Sequence, residues 1–153
     1  MKTKHLEIDQ TDQQILIQLK QDCRRSYREL AAAIGMSPAA LIERMKKLEI
    51  NGVITDYSAN FDYLKLGFEF MAIVQINVSG DLLEVQQKIS KLKGIAAIYD
   101  VTGQYDSVAV TMSKNRNEFS ALVKKIQTIP GVEKTNSSVV LNIVKKLSEF
   151  KEI

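Results

Sequence analysis

The stretch Ser26-Tyr27-Arg28-Glu29-Leu30-Ala31-Ala32-Ala33-Ile34-Gly35-Met36-Ser37-Pro38-Ala39-Ala40-Leu41 decides the reading of the N-terminal third. Ser26 followed three residues later by Glu29 is a capping box, in which each side chain takes the other's unpaired backbone N–H. Leu30, Ala31 and Ile34 supply an apolar face, and Gly35 ends the helix because glycine enters the left-handed conformation without a Cβ penalty. After Met36 a second helix starts: Ser37 caps it and Pro38, whose missing N–H costs nothing in a first turn, opens a run to Asn51. Leu41, Met45 and Leu48 fall on one stripe, and Gly52 ends the run. Two helices joined by a short glycine-containing turn form a helix-turn-helix.

Upstream, Asp9-Gln10-Thr11-Asp12 offers caps and a favourable charge for a helix in which Ile15, Leu16 and Leu19 recur, ending near Gln21. Downstream, Val53 to Phe61 is β-branched and aromatic, which predicts a strand. Residues 1–59 are thus expected to form one domain, with 60–67 as a linker that is not glycine-rich.

The second helix of such a motif enters the major groove with its N-terminal residues toward the bases. Opposite the apolar stripe lie Ala39, Glu43, Lys46 and Lys47; Ala40 borders that side and Arg44 flanks the stripe. Ala39 and Ala40 let the backbone approach and can touch a thymine methyl, while Glu43 can accept from cytosine N4. Arg24, Lys46 and Lys47 suit phosphates, which position the protein without reading sequence. With Ser37, Pro38 and Arg44 these residues make the candidate DNA-binding set. The net charge is only +3, yet Lys20 to Lys47 holds seven cations against three acids. The alternative for each cation is a solvated surface charge.

The remainder, 68–153, reads as a βαββαβ domain. Phe68–Val78 is an apolar strand. Asp81 caps a helix carrying Leu82, Val85, Ile89 and Leu92, closed by Gly94. Strands follow at Ile95–Thr102 and Ser107–Met112, joined by a hairpin turn. Asn115, with Glu118 three residues on, caps a helix carrying Phe119, Leu122, Val123 and Ile126. Pro130-Gly131 stops it before a strand at Val132–Val144. This order predicts an α+β protein whose second domain is ferredoxin-like, with an antiparallel sheet covered by two helices on one face. The first strand is apolar on both sides, with Met71, Ile73 and Ile76 opposed to Ala72, Val74 and Val78. A bare apolar sheet face is costly at about 25 cal/mol per Å², so a homodimer packed sheet to sheet is expected. Pairing also places two recognition helices about 34 Å apart on a two-fold DNA site.

One cysteine, Cys23, and one histidine, His5, supply neither an intrachain disulfide nor a Cys/His metal site, and they exclude most nucleophile–His arrangements. No enzyme and no metal are expected. No apolar run approaches the roughly 20 residues of a membrane span, and Met1–Gln10 is not a secretory signal, which predicts a soluble cytoplasmic protein.

Several stretches together resemble the Lrp/AsnC family of transcription regulators. They are Leu6-Glu7-Ile8-Asp9, Asp12 and Ile15-Leu16; Arg24, Tyr27 and Glu29-Leu30-Ala31; Gly35-Met36-Ser37, Arg44-Met45, Leu48-Glu49 and Gly52-Val53-Ile54; Leu66-Gly67; Val101-Thr102-Gly103 with Tyr105-Asp106; and Ile129-Pro130-Gly131-Val132 with Thr135. The resemblance implies a winged-type helix-turn-helix, a ligand-responsive βαββαβ domain, dimers that associate further, often into octamers, and an amino acid bound between dimers. Carried onto this chain, it implies ligand contacts from Thr102, Gly103, Gln104, Tyr105 and Asp106, with Thr135 and Ser137 reaching in from a neighbouring dimer. Asp106 can pair with an α-ammonium group and N–H groups around Gly103 with an α-carboxylate. The same turn also reads as an ordinary hairpin connection. The chain departs from the family where Tyr63 follows Asp62 in place of a frequent proline, and where Cys23 replaces a small residue.

The function expected is a sequence-specific DNA-binding regulator modulated by an amino acid or related molecule, with no other cofactor. The alternatives are an architectural DNA-binding protein without an effector, and an allosteric subunit of an enzyme.

Overall fold

Asp9 opens the first helix, α1 (Gln10–Gln21): its carboxylate accepts the Asp12 N–H and the Asp12 carboxylate accepts the Asp9 N–H. The Ser26/Glu29 box opens α2 (Tyr27–Ile34) as the spacing predicts. Gly35, at φ 78°, turns the chain while the Met36 N–H closes back onto the Ala31 carbonyl. Ser37 then accepts the Ala40 N–H at the start of α3 (Pro38–Ile50). The computed structural model describes residues 7–146; His5, Leu6 and residues 147–153 of the expected second domain lie outside them. The three helices enclose Ile15, Leu30, Ala31, Leu41, Met45 and Leu48.

The strand expected over Val53–Phe61 does not form, and residues 55–62 carry no regular secondary structure. Among the described residues the N-terminal unit therefore has no β-wing. The N–H groups of Val53 and Ile54 are both taken by the Leu48 carbonyl, which folds this segment back on α3. Tyr57 Oη donates to Glu49 Oε1 at 2.7 Å. β-Branched composition supplies a strand only where a second strand offers a ladder, and none is at hand among the described residues.

The chain separates into compact units at Asn60/Phe61. The second unit begins with a turn built on Asp62, whose Oδ1 accepts the N–H groups of Leu64 and Lys65, with Tyr63 directly after the aspartate. Then come β1 (Phe70–Val78), α4 (Leu82–Ser90), β2 (Ile95–Asp100), β3 (Ser107–Ser113), α5 (Arg116–Gln127) and β4 (Val132–Val139). The sheet order is β2-β3-β1-β4, antiparallel throughout, which is the ferredoxin-like arrangement. Asp81 and Asn115 cap α4 and α5 by accepting the N–H groups of Glu84 and Glu118. Val85, Ile89, Leu122 and Ile126 from the helices pack on Val74, Ile76 and Ala109 of one sheet face. Gly131, at φ 96°, passes so close to α4 that an added Cβ would lie 2.8 Å from Val85 Cγ2.

Three sequence expectations need correction here. Ile76 lies on the helix-covered face with Ala72 and Val74, because side chains alternate strictly along a strand. The other face of β1 carries Met71, Ile73 and Gln75, and Ile73 is exposed. β4 stops at Val139 rather than Val144: β1 begins at Phe70, so in this register it offers nothing opposite residues beyond Leu141, and Val140 still bonds Met71. Phe68 belongs to the Asp62 turn, its N–H taken by the Tyr63 carbonyl.

Candidate DNA-binding face and effector turn

Helix α3 presents two faces with different duties. Leu41, Met45 and Leu48 are buried, while Ser37, Pro38, Ala39, Ala40, Glu43, Lys46 and Lys47 are exposed. The Ser37 hydroxyl is engaged in its cap. Glu43 and Lys46 approach to 4.0 Å, a loose surface pair worth little. The start of α3 also offers the positive end of the helix dipole to a phosphate.

Arg44 sits apart from this set. Its Nη1 lies 2.6 Å from Asp9 Oδ2 and 2.7 Å from Asp12 Oδ1, and Asp12 is wholly buried. Arg44 therefore ties α3 to the first turn of α1 instead of pointing with Lys46 and Lys47. The backbone N–H of Asp12 and then the guanidinium hold the Asp9 carboxyl below its ordinary value. Arg24 lies in the turn after α1, exposed and paired with Asp22 at 3.0 Å. The sequence marks Asp9 and Asp12 as cap and dipole partners of α1 and not as partners of α3; the signal for that is Arg44 at the margin of the apolar stripe.

In the second unit, Thr102, Gly103 and Gln104 are exposed and Tyr105 and Asp106 half-buried, between β2 and β3. This turn is braced against the end of β1. The Asp106 N–H donates to the Ile76 carbonyl, and its Oδ2 accepts the Val78 N–H at 2.9 Å. Asn77 Nδ2 donates to the Gln104 carbonyl at 2.8 Å. Asn77 is a supporting residue that the sequence did not single out, since it stands 27 positions from its partner. Asp106 Oδ1 and the N–H groups of Gly103, Gln104 and Tyr105 take no partner among the described residues. The turn thus offers one carboxylate oxygen and several N–H donors, which are complementary to the two charged ends of an amino acid.

Thr135 and Ser137 are not beside this turn within one chain. Thr135 pairs with Ile76, which pairs with Ser107 on its other side, so Thr135 and Ser107 are two strand spacings, about 10 Å, apart. Thr135 accepts a hydrogen bond from Gln127 of α5, and Ser137 lines a groove between α5 and β4. No group of His, Cys, Asp or Glu among the described residues is arranged to hold a metal.

The comparisons with known proteins fit this two-part construction. Residues 8–49 match the AsnC-type helix-turn-helix domain and residues 71–150 the Lrp/AsnC ligand-binding domain. The chain belongs to the Lrp/AsnC family. An HTH-type transcriptional regulator of Pyrococcus furiosus is 39% identical over 92% of this chain and 96% of its own. E. coli AsnC has the same fold, with a TM-score of 0.85 at 27% identity over 94% of this chain and 99% of that one. A feast or famine regulatory protein from M. tuberculosis, complexed with L-methionine, superposes with a TM-score of 0.87 at 24% identity, covering 95% of this chain and 100% of that one. This Lrp/AsnC protein is accordingly a transcription regulator with a DNA-binding and a ligand-binding domain, and the names in its family are those of regulators rather than enzymes. No helix among its described residues is long and apolar enough to cross a membrane.

Proposed function

We propose that this regulator reads a specific two-fold operator in the cytoplasm as a homodimer, and that an amino acid or related molecule bound at the 102–106 turn modulates it. One observation carries the DNA reading: α3 buries Leu41, Met45 and Leu48 and turns Ala39, Ala40, Glu43, Lys46 and Lys47 outward. Ala39 and Ala40 at its N-terminal end face the bases; Glu43 reads an exocyclic amine; Lys46, Lys47 and Arg24 meet phosphates. The exposed Ile73 face of the sheet supports pairing of protomers. Thr135 and Ser137 of a neighbouring dimer complete the effector site in an assembly such as an octamer.

The test is gel-shift titration at physiological salt with the protein's own promoter region and with random DNA. Promoter binding at least 10³-fold tighter is expected of a specific reader. Equal affinities would favour an architectural role, and capture of a metabolic enzyme without any DNA binding would favour an allosteric subunit. Calorimetry with the twenty amino acids, beginning with L-methionine, tests the effector; a binder lost in Asp106→Ala supports the turn.

A further inference from the structure

Among the described residues, the groove between α5 and the edge strand β4 is lined by no acidic residue. Its floor is apolar, made by Phe70, Phe119, Val123 and Val139, and the Phe70 and Phe119 rings lie 5.0 Å apart. Arg116 and Lys124 also line the groove. They stand eight residues apart on α5, about 12 Å along the axis, and both side chains are long enough to lean toward its middle. Among the described residues neither cation has an ion-pair or side-chain hydrogen-bond partner. The groove measures about 420 Å³, a size that takes small molecules.

We infer that this groove selects a small dicarboxylate, whose methylene chain lies on the apolar floor and whose two carboxylates meet Arg116 and Lys124. Two unpaired cations over an apolar surface gain most from an anion, through charge-assisted hydrogen bonds. A cationic side chain is repelled there, and a neutral one makes neither charge-assisted bond. This groove holds none of residues 102–106, so it is a second site beside the turn, and Ser137 is the one residue named in both.

The experiment is calorimetry on the full chain with L-glutamate, 2-oxoglutarate, L-leucine, L-methionine and L-lysine. Binding of either diacid, with the other three at least about tenfold weaker, is expected. L-glutamate and 2-oxoglutarate share two carboxylates, so their ratio reports whether an ammonium group is also read. Arg116→Gln and Lys124→Gln replace exposed side chains and should each weaken the diacid about tenfold without moving Tm. Lys124→Glu should shift preference toward L-lysine. Binding of leucine or methionine that both glutamine variants leave unchanged overturns the inference and leaves the effector reading standing. Silence across the twenty amino acids and 2-oxoglutarate overturns both. A change of sedimentation in the glutamine variants, with no diacid bound by the parent, makes the groove a contact between copies and also overturns it.

Discussion

Arg44 Nη1 meets the buried carboxylate of Asp12 at 2.7 Å, joining the second helix of the helix-turn-helix to the start of the first helix of the chain across 32 residues. The same nitrogen reaches Asp9 at 2.6 Å. A cation shared by two acids fixes the azimuth of α3 as well as its distance from α1.

Arg44→Ala leaves Asp12 buried without its cation. Breaking a wholly buried pair costs about 3–5 kcal/mol; the Arg44 side chain is 33% exposed, so a loss of about 2 kcal/mol is expected. Urea unfolding measures it as a lower midpoint at unchanged m. A loss below about 0.5 kcal/mol, the range of ordinary surface changes, would show that the clamp is not structural.

The salt dependence of DNA binding separates Lys47 from Arg44. Lys47→Ala should shallow the slope of log K against log salt by about one unit, as expected for a lost phosphate contact. Arg44→Ala, measured where the variant is folded, should leave the slope alone. A reversed pattern would place Arg44 on the DNA.

Acid should loosen the N-terminal unit. The Asp9 carboxyl is held below 3.8 by the Asp12 N–H first and Arg44 second, and the Glu29 carboxyl below 4.5 by the Ser26 hydroxyl and N–H. A carboxyl whose folded value is depressed contributes stability above its unfolded value and loses it as pH falls through the folded one. The urea midpoint should therefore hold steady from neutral pH to about 5 and fall below about 4.5. Asp9→Asn should shallow that fall; an unaltered profile would deny Asp9 its part.

Asp106 combines two duties that one substitution can separate. Asp106→Ala removes the acceptor of the Val78 N–H and should cost about 1 kcal/mol along with ligand binding. Asp106→Asn keeps an oxygen acceptor and removes the charge. It should melt within a few degrees of the parent yet fail to bind an amino acid by calorimetry. Retained binding would mean that the turn acts through its backbone alone.

What the sequence discloses about this protein is mostly local. The Ser26/Glu29 box, the Asp81 and Asn115 caps and the Gly35 stop are legible because each interaction closes within five residues. The strand order follows from the alternation of helical and extended patterns. The Arg44–Asp12 pair and the Asn77–Gln104 brace are not legible, since each depends on tertiary placement of distant residues. The absent strand after Val53 shows the reverse error: its residues have strand character, but pairing depends on a neighbour that sequence does not announce. Among the site residues, the outward face of α3 could be read from a helical wheel. The separation of Thr135 from the Asp106 turn required the register of β1 with both of its neighbours.

The division of labour on α3 has an evolutionary consequence. Arg44 and the stripe at Leu41, Met45 and Leu48 carry the helix's attachment to its domain, so Ala39, Ala40, Glu43, Lys46 and Lys47 are free of structural obligation. On the proposed DNA reading, a lineage can rewrite those five positions, and with them the set of genes under control, while inheriting the scaffold unchanged.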